Sequence, residues 1–247
     1  MSVYEYIQKR RRESPLHFTL IDPDKQSVEA GVGLAKQAKE FGTDAIMVGG
    51  STPTVLLTMD ELVKRMREEV GLPVILFPFS HSALSRNADA VFFMSLLNSR
   101  TTQYLIEEQM RGAVVVRDFG LETLPMGYMI VEGGKTTSAA FGSDAKPIPR
   151  DKPEFAAAYS LAAKYFGMRF VYLEGGSGAE FPVQPEMVAA VKKTIGEGVF
   201  LIVGGGIKTP ELAKDRVDAG ADIIVTGTIA EKDQNVLREI IKTVKGK

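Results

Sequence analysis

Cysteine is absent from all 247 residues. That excludes disulfides and leaves only oxygen or imidazole ligands for any metal site. Histidine occurs twice, as His17 and His81, so a centre with three or four imidazole ligands is impossible. No apolar run approaches the ~18 residues of a membrane span. An excess of one charge is also lacking: 30 basic residues face 31 acidic ones, for a formal charge of -1, and nothing suggests a nucleic-acid partner. The basic run Lys9-Arg10-Arg11-Arg12 is not followed by an apolar core of signal-peptide type. It reads as the solvated end of a first helix, Val3 to Arg12, and a cytoplasmic location is expected. No internal repeat, low-complexity segment or linker divides the chain, so residues 1–247 read as one domain.

What is present alternates. Short apolar strands are expected at Leu16–Ile21, Ala45–Val48, Pro73–Phe77, Ala88–Phe93, Gly127–Val131, Arg169–Leu173, Val199–Val203 and Asp222–Thr226. Helical patterns separate most of them. Ser27 caps a helix from Val28 to Phe41 that Gly42 stops, and Thr58 with Glu61 has capping-box spacing. A helix is expected from Thr102 to Met110, with Ala113–Val116 as a further short strand. Asp151-Lys152-Pro153 opens a helix to Phe166, and Thr209-Pro210-Glu211 opens another. Only Pro78 to Ala88 joins strands three and four, too little for an ordinary helical crossover. Residues Glu132 to Arg150 have no period and read as a lid or interface loop. Eight strands in about 250 residues suggest an α/β fold, a modified (β/α)8 TIM barrel whose crossover helix after strand three is shortened or missing.

In such a barrel, polar residues at the C-terminal strand tips are the functional candidates. Strand six delivers Tyr172, Leu173 and Glu174, then Gly175-Gly176-Ser177-Gly178. Strand seven runs into Gly204-Gly205-Gly206, and strand eight into Gly227-Thr228. Glycine lets backbone N–H groups approach an oxyanion closely, so three such tips in succession point to a phosphate site. Glu174 is placed to orient or deprotonate a hydroxyl beside that phosphate, and Tyr172 shares its face. Asp22, with Ser51 on the neighbouring tip, is a plausible hard-cation site; helix capping is the rival role for Asp22. Asp24 and Lys25 read as solvated turn residues. Ser80, His81, Asn98, Thr52 and Glu132 complete the strand-tip set, and neither histidine has a ligand partner at metal-binding spacing.

Together these stretches resemble a known family. Leu20-Ile21-Asp22-Pro23-Asp24-Lys25, Met47-Val48-Gly49-Gly50-Ser51, Phe92 to Ser99, Ala145 to Asp151, Tyr172 to Gly178 and Val203 to Lys208 are similar, in that order, to the geranylgeranylglyceryl phosphate synthases, in their second, archaeal branch. The resemblance implies a prenyltransferase that joins sn-glycerol 1-phosphate to geranylgeranyl diphosphate and releases diphosphate, the first ether-bond step of archaeal-type membrane lipid biosynthesis. It implies Mg²⁺ held by Asp22 and Ser51. Glycerol phosphate would be held by Tyr172 to Gly178, Gly205, Gly206, Gly227 and Thr228, and its hydroxyl would be bound or activated by Glu174. It further implies a homo-oligomer and a peripheral membrane contact for the lipophilic substrate. Two departures stand out. Gly175 replaces the alanine of many relatives, and Leu20 stands where another branch has a lysine.

Rival readings remain at this point. A sugar-phosphate isomerase or epimerase would use Glu174 and Asp22 as acid and base with no apolar groove. A scaffold would bind phosphate without turnover, and a related transferase would take a longer prenyl donor.

Overall fold

A computed structural model describes residues 1–50 and 56–246, with only the backbone of Leu56 and Leu57. Eight parallel strands close into a barrel in sequence order: β1 Leu16–Ile21, β2 Ala45–Val48, β3 Val74–Leu76, β4 Ala90–Leu96, β5 Glu122–Ile130, β6 Phe170–Glu174, β7 Phe200–Gly204 and β8 Ile223–Thr226. β1 pairs with β8, as Leu16↔Ile223 through Thr19↔Thr226, to complete the ring.

The helices are α1 Val3–Arg11, α2 Val28–Phe41, α3 Leu56–Val70, α4 Glu108–Phe119, α5 Ser138–Gly142, α6 Pro153–Tyr165, α7 Pro185–Ile195, α8 Pro210–Asp218, α9 Thr228–Lys232 and α10 Gln234–Val244. A π-helical turn, Gln103–Glu107, leads into α4. The connection 77–89 between β3 and β4 runs through turns without a helix.

Local chemistry explains most boundaries. The Ser27 side chain accepts from Ala30 N–H at the start of α2, and Gly42 closes it at φ 102, where a Cβ would be strained. Thr209 caps α8 in the same way. Other expectations are corrected. Ala113–Val116 is not a strand but lies inside α4, where packing of Val116 outweighs the β-propensity of three consecutive valines. β5 begins at Glu122, five residues earlier than expected, and carries Pro125 within it. Thr58 is the third residue of α3, not its cap. Helix α1 is not merely solvated. Val3 and Ile7 enter the barrel core, Tyr4 meets Phe170 and Phe200 edge-on at 6.0 Å, and Glu122 accepts from Tyr4 N–H at 2.9 Å.

Helix α1 therefore plugs the N-terminal end of the barrel. Inside, Phe18, Phe92, Phe170 and Tyr172 are fully buried, and inward and outward residues alternate along every strand. A packed interior closed at one end leaves the C-terminal mouth as the open face.

Candidate active site

One cavity of about 790 Å³ opens at that mouth, within the usual size of a small-molecule site. Asp22, Tyr172, Glu174, Gly176, Ser177, Gly178, Gly205, Gly206, Gly227 and Thr228 all line it. Ser51 and Thr52 lie outside the described residues.

β6 sets the centre. Tyr172 faces the interior with Phe77 and Tyr128, at ring-centroid distances of 5.6 and 5.3 Å. Two residues on, Glu174 points the same way, while Leu173 between them packs outward against the helices. Leu173 is thus removed from the side chains that face the cavity. Burial raises the Glu174 carboxyl above its ordinary value; hydrogen bonds from the Tyr172 hydroxyl and Gly176 N–H partly offset this. Burial also lifts the Tyr172 hydroxyl well above its usual range, with the Glu174 charge adding to it. Gly204 makes the arrangement fit: a Cβ there would collide with the Tyr172 hydroxyl.

The glycine turns differ in what their amides do. Gly175 N–H donates to Gly204 O at 2.9 Å and Gly176 N–H to Glu174, so both are committed to the protein. Gly175 does not line the cavity, which corrects its expected direct role. Among the described residues, no backbone carbonyl accepts from the N–H groups of Ser177, Gly178, Gly205, Gly206 or Gly227. The Ser177 and Thr228 hydroxyls stand 3.4 Å apart and bridge the sixth and eighth tips. These free donors on three adjacent tips form a cradle for an oxyanion.

Asp22 borders the cavity beside the second tip, and a Cβ on Gly50 would crowd its carboxylate. Lys25 is an exposed turn residue, as expected, but it also makes ion pairs at the cavity. Its Nζ is 3.1 Å from Asp22 and 3.8 Å from Glu231, and all three residues line the cavity. Among the described residues no three acidic or histidine side chains converge as a ready-made metal cage. A carboxylate such as Asp22 at the mouth suits a hard cation whose other ligands are water and substrate oxygens.

Away from the cradle the wall becomes apolar. Phe79, Leu84, Val91, Phe93 and Val116 line the part of the cavity between α4 and the helix-free connection 77–89. At that end His81 Nδ1 meets the largely buried Glu108 at 2.7 Å. Burial opposes the Glu108 charge, but hydrogen bonds from His81 and Gln103 outweigh it and hold the carboxyl below its usual value.

Other strand-tip candidates lie elsewhere. His17 is fully buried on the outer face between the Thr43 and Thr226 hydroxyls, at 2.9 Å from each, and burial drops its pKa to about 3. Asn98 ties strands to loop, donating to Ile130 O and Lys146 O at 2.8 and 2.9 Å. Glu132 is exposed and outside the cavity. The apolar wall and Glu231 escaped sequence reasoning, because they converge from segments without a common pattern; α9, which carries Glu231, spans only five residues.

Comparisons with known proteins agree with this geometry. A geranylgeranylglyceryl phosphate synthase of Thermococcus gammatolerans is 53% identical over 230 residues, covering 93% of this chain and 90% of the relative. The crystal structure of (S)-3-O-geranylgeranylglyceryl phosphate synthase from Thermoplasma acidophilum, in complex with sn-glycerol-1-phosphate, is 40% identical with a TM-score of 0.94 over the whole of both chains. N-acetylmannosamine-6-phosphate 2-epimerase from Clostridium perfringens, at 14% identity and a TM-score of 0.59 over 92% of this chain and 93% of that one, shares the fold alone. The PcrB family pattern matches residues 6–245, and the chain belongs to the PcrB family.

Proposed function

We infer that this chain is a geranylgeranylglyceryl phosphate synthase, a prenyltransferase that joins sn-glycerol 1-phosphate to geranylgeranyl diphosphate. The observation that carries the reading is the two-sided cavity. An amide cradle with a buried carboxylate continues into an apolar channel where a barrel helix is missing. A phosphorylated polyol fits the first part and a long hydrocarbon the second. A sugar-phosphate epimerase has no use for the second part.

The free amides of Ser177, Gly178, Gly205, Gly206 and Gly227, with the Ser177 and Thr228 hydroxyls, hold the phosphate. The substrate hydroxyl then faces Glu174. Its raised carboxyl makes it a better proton acceptor near neutral pH than an exposed glutamate. Tyr172 donates to Glu174 and fixes its orientation. As the hydroxyl oxygen bonds to the allylic carbon, its proton passes to Glu174 and the carbon–diphosphate bond breaks. Allylic delocalisation eases that departure, so the protein's main work is positioning. Mg²⁺, when bound by Asp22 with Ser51, would neutralise the departing diphosphate. The tail lies along Phe79, Leu84, Phe93 and Val116.

The same reading extends to assembly and location. Phe155, Tyr159 and Phe166 are exposed on and just beyond α6 and suit burial against a second copy. No helix among the described residues is long and apolar enough to cross a membrane, so the lipophilic donor would be met by surface contact.

The test is product formation from sn-glycerol 1-phosphate with prenyl diphosphates of several lengths, with and without Mg²⁺. The expected result is a Mg²⁺-dependent ether product, fastest with the twenty-carbon donor. A fastest donor of greater length would keep the chemistry and change the assigned substrate. No product with any donor would sink the reading.

A further inference from the structure

The cradle described above offers a phosphate only neutral donors, and it places the Glu174 carboxylate nearby. A phosphate dianion close to a carboxylate in a partly enclosed site needs a compensating cation. Four lysines line the cavity: Lys25, which pairs with Asp22 and Glu231, the exposed Lys232 at the C-terminal end of α9, Lys135 and Lys208. Lys208 is exposed beyond the seventh tip, and no contact fixes it over the cradle. Lys135 has no carboxylate partner among the described residues, and its Nζ lies 3.9 Å from where a Cβ on Gly178 would begin.

The backbone on both sides of Lys135 is fastened to the glycine turn. Gly133 O accepts from Glu180 N–H at 2.9 Å and Phe181 N–H at 3.2 Å. Gly133 itself packs so closely on the Gly175 carbonyl that a Cβ would collide with it. On the other side the Thr137 methyl occupies the space a side chain at Gly176 would take, and the Thr137 hydroxyl caps α5 by accepting from Ala140 N–H at 3.1 Å. Two residues either way, the chain is therefore anchored to the turn that the substrate phosphate must reach.

We propose that Lys135 is the phosphate-binding cation of the site, carried over the Ser177–Gly178 turn by segment 133–137 so that the phosphate is held between its ammonium group and the free amides. The assignment rests on the prenyl-transfer reading. It gives a function to a stretch that otherwise only roofs the cavity, and it makes Lys135 a discriminator between phosphorylated and plain polyols.

Titration calorimetry with sn-glycerol 1-phosphate alone, without prenyl donor, separates binding from turnover. Lys135→Ala should weaken Kd by about tenfold, the lower end for a charge-assisted contact. It should also flatten the dependence of log Kd on log salt, because one screened charge pair is gone. Lys135→Arg should recover most of the loss. Melting temperatures of both variants should match the wild type, since the side chain is exposed. The KM for geranylgeranyl diphosphate should stay within about twofold, which sorts phosphate from diphosphate recognition. Wild-type affinity in Lys135→Ala would overturn the assignment, as would a loss confined to the prenyl donor, or one produced by Lys208→Ala instead. A wild-type protein without affinity for sn-glycerol 1-phosphate would overturn the functional reading and Lys135 with it. Wild-type binding that Lys135→Ala retains would overturn Lys135 alone.

Discussion

Glu174 is a carboxylate whose charge the fold opposes, and that sets two expectations at the scale of single residues. Its folded value is raised by burial, so the native state binds the proton more tightly than the unfolded chain. The stability linked to that proton is present at low pH and is lost as pH rises through the raised value. Above that raised value the ionised side chain costs stability, and Glu174→Gln removes the cost while keeping an acceptor for Gly176. The variant should melt no lower than wild type at neutral pH, with the difference narrowing in acid. Turnover should nevertheless fall by about 10² to 10⁴, the worth of a positioned base. A melt and an assay on the same protein decide it: equal losses in both would make Glu174 structural. Gly204→Ala tests the neighbour. Its methyl would push the Tyr172 hydroxyl off Glu174. Overpacking should cost about 1–3 kcal/mol, and misplacement of Glu174 should cost up to about 100-fold in kcat. Tyr172 and Glu174 were readable from the sequence because strand alternation puts i and i+2 on one face. The unavailability of the Gly175 amide was not, since it depends on the register with Gly204.

At the scale of elements, the decisive feature is the helix-free link between β3 and β4. Its brevity was visible by counting residues, and β1, β2 and α2 were bounded correctly from alternation and Gly42. α4 and β5 were misread for physical reasons. Consecutive valines mimic a strand when their helical packing is unseen, and Pro125 argues against a strand that the barrel nonetheless accommodates. The channel wall could not be read because Phe79, Phe93 and Val116 meet only after three elements have folded. Gly112 on α4 gives the channel a direct test. A Cβ there would lie 3.5 Å from His81 Cβ, so alanine fits but a longer side chain enters the channel. Gly112→Leu should raise the KM for the twenty-carbon donor by about tenfold, on the order of one blocked hydrocarbon contact, while a fifteen-carbon donor suffers less. Equal effects on both donors would place the tail elsewhere.

Over the whole molecule, carboxylates divide by barrel end. At the C-terminal end, Asp22, Glu174 and Glu231 face the cavity. Those just before the strands join neighbours: Asp44, Asp89 and Asp222 accept from His17, Val74 and Leu201 N–H groups at 3.0, 2.9 and 2.9 Å. Asp44 also pairs with Lys245 at 3.0 Å and Arg10 at 3.2 Å. One buried side chain thus ties α1, β1, β2 and the end of α10 together, joining the two ends of the chain where the barrel closes. The Asp44 side chain is fully buried and that of Lys245 is 8% exposed, so truncating the first strands an ammonium group without solvent. Breaking a buried pair from one side costs about 3–5 kcal/mol. At about 2–4 °C per kcal/mol for a chain of this size, Asp44→Ala should lower Tm by roughly 10 °C. Asp44→Asn, which keeps an acceptor for His17 N–H but not the charge, should fall between. The hub lies at the plugged end, away from the cavity, so kcat measured well below the melt should stay close to wild type. Thermal unfolding followed beside low-temperature turnover separates the outcomes. A large loss of turnover in a protein that is still folded would mean that the closure of the barrel at its base governs the geometry of the tips.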